Sequence, residues 1–465
     1  MTSDTTPAGQ GPLSRRTVVA GATWSLPVIA AATATPAAAA STTQTLAFGP
    51  VPANSIACTA TTAPITMTLT GGIVSGVPVR VSLPAGFRFR SGATGTYVTD
   101  GSGVATIPAG DVIVGPSAGT ASAAAGSAQA STSLPVRQTG VLEYGRVPDP
   151  IQDNSGWVHT YSQGEDGNVS IKANGDVWQY TRADGWKKLG TGASTEPSAA
   201  GLASQSADGK YYAHWIKGGV LQYSTGLASV MNNSGFVRTY GQGADGNVSV
   251  KSNGDIYSFT LVNGNGKKAW AMIGTGASTE PSAAGLSKTA AGVVDVVWIK
   301  NGVVQLGKGA AATLPNNSQF LRVYGLGSRG AAAVKSNGEL WQYDPGKNAW
   351  NQVGTGADTG PSTVGLTQQQ NGDSFLHWIK NGVLRYSSGL ASVEENSGFV
   401  HTYGFVADGA VAVKSNGDVW HYVLATRVWT KVGTGASTEP NTAGVTRKAD
   451  GTLAAHWIKT TTACA

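Results

Sequence analysis

The chain has few charged residues, and after its first forty residues it has no long hydrophobic run. Charged residues make up 12% of its 465 positions, which is unlike a coiled coil or a solvating acidic tail. No later stretch approaches the ~20 apolar residues that span a bilayer, so we expect no transmembrane segment. The formal net charge is +6, but lysines and arginines stand singly, whereas nucleic-acid binders concentrate such charge. We therefore expect no nucleic-acid partner.

The residue types that carry catalysis are also scarce. The six histidines occupy repeat positions at which other copies carry different residues, and no HxH or HExxH spacing occurs. Gly115–Gly119 matches GxSxG but lacks the strand–turn–helix context of a nucleophile elbow. No acidic pair stands apart from the repeats as a glycosidase would require. We expect no metal, no cofactor and a non-catalytic function.

Only two cysteines occur, Cys58 and Cys464. In an exported protein such a pair forms a disulfide more often than it stays free. A bond between them would tie the penultimate residue of the chain to its first domain. Two unpaired thiols are the alternative, and the sequence leaves both open.

The start of the chain has the pattern of a targeting segment. Arg15 and Arg16 precede an apolar run from Val18 to Ala32, and small residues follow at 37–40. The pattern resembles a bacterial twin-arginine export signal over residues 1–40, with cleavage near Ala40. A short buried helix is the alternative. The resemblance implies an exported protein, secreted or held at the cell surface.

Glycine is abundant, at 64 residues, and most of it belongs to a repeat that fills residues 137–465. Each copy contains two hairpins, one around a K-S-N-G-D phrase and one around a W-I-K-N-G phrase. The first hairpins start at Ile171, Val250, Val334 and Val413. The second hairpins start at His214, Val297, His377 and His456. The Asn-Gly dipeptides favour type I′ turns between antiparallel strands.

The repeat spacing predicts a β-propeller. Successive copies are about 80 residues apart, so each hairpin unit has about 40 residues, the size of one four-stranded blade. Residues 139–144 match the second half of a W-I-K-N-G unit, and the chain ends soon after His456–Lys459, the first half. We therefore expect both ends to share one sheet, which removes two exposed edges. This count predicts eight blades, with seven as the alternative.

Residues 41–136 have a different pattern. Short apolar or alternating runs such as Ile65–Leu69 and Val77–Leu83 are separated by Gly- and Asp-rich turns, which is typical of an antiparallel β-sandwich. The segment resembles bacterial immunoglobulin-like domains of the invasin type. That resemblance implies a spacer on a surface protein. The predicted fold class is therefore all-β, an immunoglobulin-like sandwich followed by a propeller.

The repeats also resemble a known group of propellers. The phrase VAVKSNGDVWHY with a following KVGTG is similar to regulator-of-chromosome-condensation repeats and to tachylectin-type lectin propellers. The glycine expected after the aromatic residue at 180, 259, 343 and 422 is absent, so chromatin binding and nucleotide exchange are not carried over. The resemblance implies a propeller that presents loops to a partner.

Twelve of the 13 tryptophans fall at repeat positions. One complete set is Trp186, Trp270, Trp350 and Trp429. Large rings at fixed strand positions are expected to pack between neighbouring blades. This set stands just before a loop, however, and we keep ligand stacking as the alternative for it.

The most repeated loop links one unit to the next and reads G-T-G-A-S-T-E-P. Its copies are 190–197, 274–281, 354–361 (G-T-G-A-D-T-G-P) and 433–440. A connector needs its Gly and Pro, but not Ser-Thr-Glu, which could hydrogen-bond a ligand. Strand alternation places these loops on the same face as the Asn-Gly turns. The predicted binding residues there are Glu196, Glu280, Glu439, Lys217, Lys300 and Lys380, with charge compensation on a solvated rim as the alternative.

These observations favour an exported, monomeric binding protein. It would recognise a glycan or another surface protein through several similar loops, with avidity for a repeated ligand. The alternative is a secreted hydrolase or lyase with its site in the propeller channel. No loop copy clearly stands apart by acidic residues or histidines that its siblings lack, although 354–361 differs most, with Asp358 and Gly360 where the siblings have Ser and Glu.

Overall fold

The computed structural model describes residues 43–460, and both the export signal and Cys464 lie outside this range. Within it, residues 53–54, 93–94, 146–150, 152, 163–166, 182, 205–210, 225, 242–245, 262–267, 289–292, 308, 312, 327–329, 369–373, 387–388, 392, 407–408, 424–425 and 448–451 are not described. Every regular element in the described part is a β-strand. No membrane-spanning helix is found among the described residues.

The first domain consists of nine short strands. They are β1 (Thr45–Phe48), β2 (Ile65–Thr70), β3 (Pro78–Ser82), β4 (Arg88–Phe89), β5 (Thr96–Val98), β6 (Val104–Ile107), β7 (Val112–Ile113), β8 (Gly119–Ala125) and β9 (Ala128–Leu134). The sheets have the orders β1-β2-β6, β5-β3-β8-β9 and β4-β7. In β2, Ile65, Met67 and Leu69 alternate with threonines and enter a core that Val79 and Ala123 of the second sheet share. The two larger sheets therefore pack on one hydrophobic core.

The K-S-N-G-D hairpins form the centres of four sets of four strands, which we call the A sheets. Their strands are β11 (Trp157–Ser162), β12 (Asn168–Lys172), β13 (Val177–Thr181) and β14 (Gly185–Gly190); β19 (Phe236–Gly241), β20 (Asn247–Lys251), β21 (Ile256–Leu261) and β22 (Lys268–Gly274); β27 (Phe320–Gly325), β28 (Ala331–Lys335), β29 (Leu340–Asp344) and β30 (Ala349–Gly354); β35 (Phe399–Val406), β36 (Gly409–Lys414), β37 (Val419–Val423) and β38 (Val428–Gly433). Strand order follows chain order in each set.

The W-I-K-N-G hairpins form three four-stranded B sheets. Their strands are β15 (Ala200–Ser204), β16 (Tyr211–Lys217), β17 (Val220–Tyr223) and β18 (Gly226–Leu227); β23 (Ala284–Lys288), β24 (Val294–Lys300), β25 (Val303–Leu306) and β26 (Gly309–Ala310); β31 (Val364–Gln368), β32 (Ser374–Lys380), β33 (Val383–Tyr386) and β34 (Gly389–Leu390). A and B sheets alternate along the chain.

The two ends of the repeat region share a sheet, as the half-units at the ends predict. Strand β10 (Gly140–Tyr144) pairs antiparallel with β40 (Leu453–Thr460), and β39 (Ala443–Arg447) pairs with the other side of β40. A single residue pair, Gly140 with Trp157, joins this group to the first A sheet. The result is one seven-stranded sheet of order β14-β13-β12-β11-β10-β40-β39.

The sheets are arranged radially as a β-propeller. The first strands of the sheets, or the residues just before them, line one central cavity. Neighbouring first strands approach closely at glycine, because a Cβ at Gly241 or Gly325 would meet the backbone of the adjacent strand. Small side chains at these positions thus determine how tightly the sheets converge.

One buried lysine stabilises each A sheet, and the sequence reasoning assigned it no role. The four lysines are Lys172, Lys251, Lys335 and Lys414, each 4–7% exposed. The Lys251 Nζ lies 5.0 Å from the Phe236 ring centroid and 5.1 Å from that of Tyr257. It also donates a hydrogen bond of 2.6 Å to the Asn232 carbonyl. Two rings and a carbonyl thus replace the hydration of the ammonium group.

Candidate binding face and central cavity

The four G-T-G loops and the Asn-Gly turns of the A sheets lie together, as strand alternation predicts. We call the loops connectors 1 to 4 (190–197, 274–281, 354–361 and 433–440) and the surface that they form the connector face. The amide of Ala193 in connector 1 donates to the carbonyl of Gly175 at 2.9 Å, and Ala277 and Gly254 repeat the contact at 2.9 Å. Each connector is thus held to the turn of its own A sheet.

The Ser and Thr of the connectors have structural roles. The Ser194 hydroxyl accepts a hydrogen bond of 3.2 Å from the amide of Glu196, a local Ser turn. The same bond recurs in connectors 2 and 4. The Thr carbonyl accepts a hydrogen bond from the first strand of the connector's own A sheet: in connector 2, Arg238 Nε donates to Thr279 at 2.9 Å. Of the shared Ser-Thr-Glu, the Ser hydroxyl and the Thr carbonyl thus hold the connector in place.

The predicted glutamates differ in their partners. Glu196 lies 3.6 Å from Arg137, in the linker between β9 and β10, and Glu280 lies 3.7 Å from Arg322 of β27. Both arginines are largely covered, with side chains 12% and 15% exposed. No ion pair to Glu439 occurs within the described residues. Two of the three predicted binding glutamates thus already have a cationic partner.

The predicted lysines lie beside the connectors. The Lys300 side chain covers Gly276, whose φ is +78°, and a Cβ there would stand 3.2 Å from the lysine Cε. Lys217 and Lys380 cover Gly192 and Gly356 in the same way. The structure therefore brings lysines and glutamates onto one face. It also gives the lysine stems a packing role against glycine.

The tryptophan set before the connectors is placed inside the propeller. Trp350 and Trp429 are 5% and 4% exposed, while Trp186 and Trp270 are half-buried and pack against core clusters. Trp350 lies 5.4 Å from the Tyr343 ring. Trp350 and Trp429 thus have no free face for a ligand and pack between sheets, as expected for rings at fixed strand positions. Trp186 and Trp270 keep part of their surface exposed, so ligand stacking stays a prediction for these two.

A groove opens on the connector face at connector 2. Its volume is about 860 Å³, and its walls include Asn253, Ser278, Glu280, Asn301, Leu321 and Arg322. The Leu321 side chain is 42% exposed, whereas its neighbour Phe320 is 1% exposed. The groove thus presents amides, hydroxyls, one carboxylate, one guanidinium and one aliphatic side chain.

The central cavity is smaller and consists of repeated residues. Its volume is about 110 Å³, and the four repeats contribute Tyr161, Tyr240, Tyr324 and Tyr403 together with Ser198, Ser282, Ser362 and Asn441. The last four have φ between 55° and 59°. The carbonyl of each accepts a hydrogen bond of 2.8 Å from a backbone amide on the first strand of the neighbouring A sheet. Burial raises the pKa of Tyr240 to about 12. The described lining includes no Asp, Glu or His.

Buried histidines form a second repeated polar feature. The His214 Nδ1 lies 2.9 Å from the Thr239 hydroxyl, and the His377 Nδ1 lies 2.7 Å from that of Thr402. Burial lowers the pKa of His214 and of His377 to about 3, so both stay neutral at physiological pH. No group of three His, Cys, Asp or Glu side chains within the described chain is placed to hold a metal ion.

Cys58 is disulfide-bonded in the structure. Cys464, which the sequence offers as its partner, lies outside the described residues. Arg137 reaches connector 1 near this part of the first domain, and its backbone is bonded to Ser55 and Ala57. The repeat pattern gave no signal for this contact, because Arg137 precedes Thr139, the first residue that matches a repeat unit.

No protein-family model matches the chain, and no curated protein matches it. Solved structures similar to it include Sqt1 of Saccharomyces cerevisiae, with 12% identity, a TM-score of 0.42, and coverage of 70% of this chain and 100% of Sqt1. They also include the WD40 β-propeller domain of Doa1, with 10% identity, a TM-score of 0.32, and coverage of 63% and 96%. Likenesses at this level carry no functional argument. The propeller follows from the radial sheets and central cavity described above.

Proposed function

We propose that this chain is an exported, non-catalytic binding protein whose connector face captures a polypeptide partner. Two observations support export. Residues 1–40 have the paired arginines and apolar run of an export signal, and the disulfide at Cys58 fits an oxidising compartment.

In this proposal the propeller has eight blades and is carried by an immunoglobulin-like spacer. The four A sheets, the three B sheets and the group β39-β40-β10 make eight units. The two packed sheets of residues 43–134 fit a sandwich of the immunoglobulin type. The shared sheet would close the ring without leaving a free edge.

The groove at connector 2 carries the proposal. Binding sites are concave and combine apolar surface with a few placed polar groups. This groove is a concave part of the connector face, and it has both signs of charge and an exposed Leu321. The leucine gives a partner side chain an apolar contact, and the polar residues around it form the rim of that contact.

The residues of the groove favour a polypeptide over a glycan. A stacking platform for sugar rings needs exposed aromatic faces, and Phe320, the one aromatic residue in the described lining of this groove, is 1% exposed. Paired amide and hydroxyl groups suit the backbone of an extended segment. Similar surfaces at the other connectors would add avidity for a repeated partner.

The test uses the mature chain, residues 41–465, and screens a displayed peptide library and a glycan array in parallel. The groove variant is Leu321→Asp, and its matched control is Val428→Asp, since Val428 is similarly exposed at 49% and lies outside the groove. We expect selected peptides to bind the parent and the V428D variant but not the L321D variant. Glycan binding alone, or peptide binding unchanged by L321D, would contradict the proposal.

A further inference from the structure

Connector 1 holds an arginine that does not belong to the repeats. The Arg137 side chain donates from Nη1 to the Thr195 carbonyl and lies 3.6 Å from the Glu196 carboxylate through Nη2. The His159 Nε2 contacts the same carbonyl at 2.8 Å. A carbonyl, a carboxylate and a histidine behind them thus form a small site that receives a guanidinium.

Connector 4 repeats this site. The His401 Nε2 lies 2.7 Å from the Thr438 carbonyl, as His159 does in connector 1. The Ser437 hydroxyl accepts from the Glu439 amide at 3.2 Å, as in connector 1, so the carboxylate starts from the same backbone turn. Both sites have a histidine where the intervening A sheets have an arginine.

The two remaining connectors do not offer this site. Arg238 and Arg322 stand where the other two A sheets have histidine, and their Nε atoms bond the connector carbonyls directly at 2.9 and 3.1 Å. Arg322 also pairs with Glu280. Connector 3 has Gly360 at the glutamate position and therefore lacks the carboxylate.

In connector 4 the guanidinium position is open within the described chain. No described cation pairs with Glu439, and His401 is the one described side chain that bonds the Thr438 carbonyl. The nearest repeat lysine, Lys459, directs its Nζ to Glu143 at 3.0 Å. Thr438 is exposed, whereas Thr195 beneath Arg137 is half-buried.

We propose that connector 4 binds the arginine side chain of an extended polypeptide partner, in the way connector 1 binds Arg137. This inference rests on the proposed function, since it names a contact of the same face. A carbonyl and a carboxylate side by side match the planar fork of a guanidinium, which donates to both. A lysine ammonium is a single point donor and fits the pair less well.

The probe is a capped, dye-labelled peptide with the chain's own linker sequence, residues 134–140, titrated into the mature protein by fluorescence anisotropy. A second peptide has lysine in place of the arginine, and a third has the uncharged analogue citrulline. We expect saturable binding of the arginine peptide, weaker binding of the lysine peptide and none of the citrulline peptide. Equal binding of all three peptides, or no saturable binding of the arginine peptide, would overturn the inference without any protein variant.

Two protein variants then locate the site. Glu439→Gln should weaken binding of the arginine peptide about tenfold or more, because it removes a charge-assisted bond. Glu394→Gln is the matched control and should leave the affinity within about twofold, because Glu394 is exposed and lies outside both the connectors and the groove. Unchanged affinity in the E439Q variant would overturn the site. Library-selected partners that need Leu321 but tolerate E439Q would refute this inference alone and leave the proposed function standing.

Discussion

The buried histidine–threonine pairs allow a sharp test of how the propeller responds to acid. His377 and Thr402 are a hydrogen-bonded pair with relative exposures of 0%. In the preceding repeat the corresponding positions hold Val297 and Val323, both also 0% exposed. The chain thus contains an apolar version of the same contact. Replacing the pair as a unit, His377→Val with Thr402→Val, should therefore preserve the packing.

The magnitude follows from the pKa of His377. Burial lowers it to about 3 in the folded protein, against about 6.5 for an unfolded chain. Between these values the unfolded state binds the extra proton, so the free energy of unfolding falls as the pH drops below about 6.5. Each pH unit is worth about 1.4 kcal/mol, which makes the loss at pH 5 about 2 kcal/mol for this one group.

The assay is urea unfolding at pH 7.5 and pH 5 for the parent, the single variant H377V and the double variant. The double variant should lie within about 1 kcal/mol of the parent at pH 7.5, and it should lose about 2 kcal/mol less than the parent at pH 5. H377V alone should lie about 1–3 kcal/mol below the parent at pH 7.5, because the Thr402 hydroxyl loses its bond to the His377 ring. Since it also lacks the titrating ring, H377V, like the double variant, should lose about 2 kcal/mol less than the parent on going to pH 5. An identical pH dependence in parent and double variant would refute the reasoning.

Three further predictions concern stability. Arg137→Gln should lower the free energy of unfolding by about 1–2 kcal/mol. Adding Glu196→Gln to that variant should lower it little further, because both substitutions remove the same ion pair. Additive losses in chemical unfolding would contradict that pairing. Gly276→Ala should cost about 1–2 kcal/mol because its φ is +78°, whereas Gly101→Ala, where a Cβ meets nothing within 4 Å, should be nearly neutral by the same assay. Reduction of the disulfide at Cys58 should lower the stability by about 2–4 kcal/mol, which calorimetry with and without reductant would detect as a lower unfolding temperature; an unchanged temperature would contradict it.

The repeat pattern predicted those parts of the fold that depend on position within a unit. The match between residues 139–144 and a later half-unit predicted the pairing of β10 with β40, because strand register follows from the alternation of the pattern. The joint location of connectors and Asn-Gly turns followed from strand direction alone. Both features are local consequences of β-strand geometry.

Features that depend on contacts between units could not be obtained in this way. The lysine of the K-S-N-G phrase is an ordinary surface residue by type, and its burial depends on rings from two other strands. Its presence in all four copies was the one available signal. The ion pair of Arg137 with Glu196 joins the segment before β10 to connector 1, and neither residue indicates the other in the sequence. The tryptophans before the connectors lie between sheets because neighbouring sheets supply the covering surface.

The most direct test of the binding proposal is hydrogen–deuterium exchange of the mature chain with and without a polypeptide selected from the library. The account predicts slower exchange in residues 252–254, 276–280, 301–302 and 319–322, which line the groove, and no change in the β29–β30 turn at residues 345–348, which lies at the other end of the strands. Protection of that turn with unchanged exchange along the groove would contradict it.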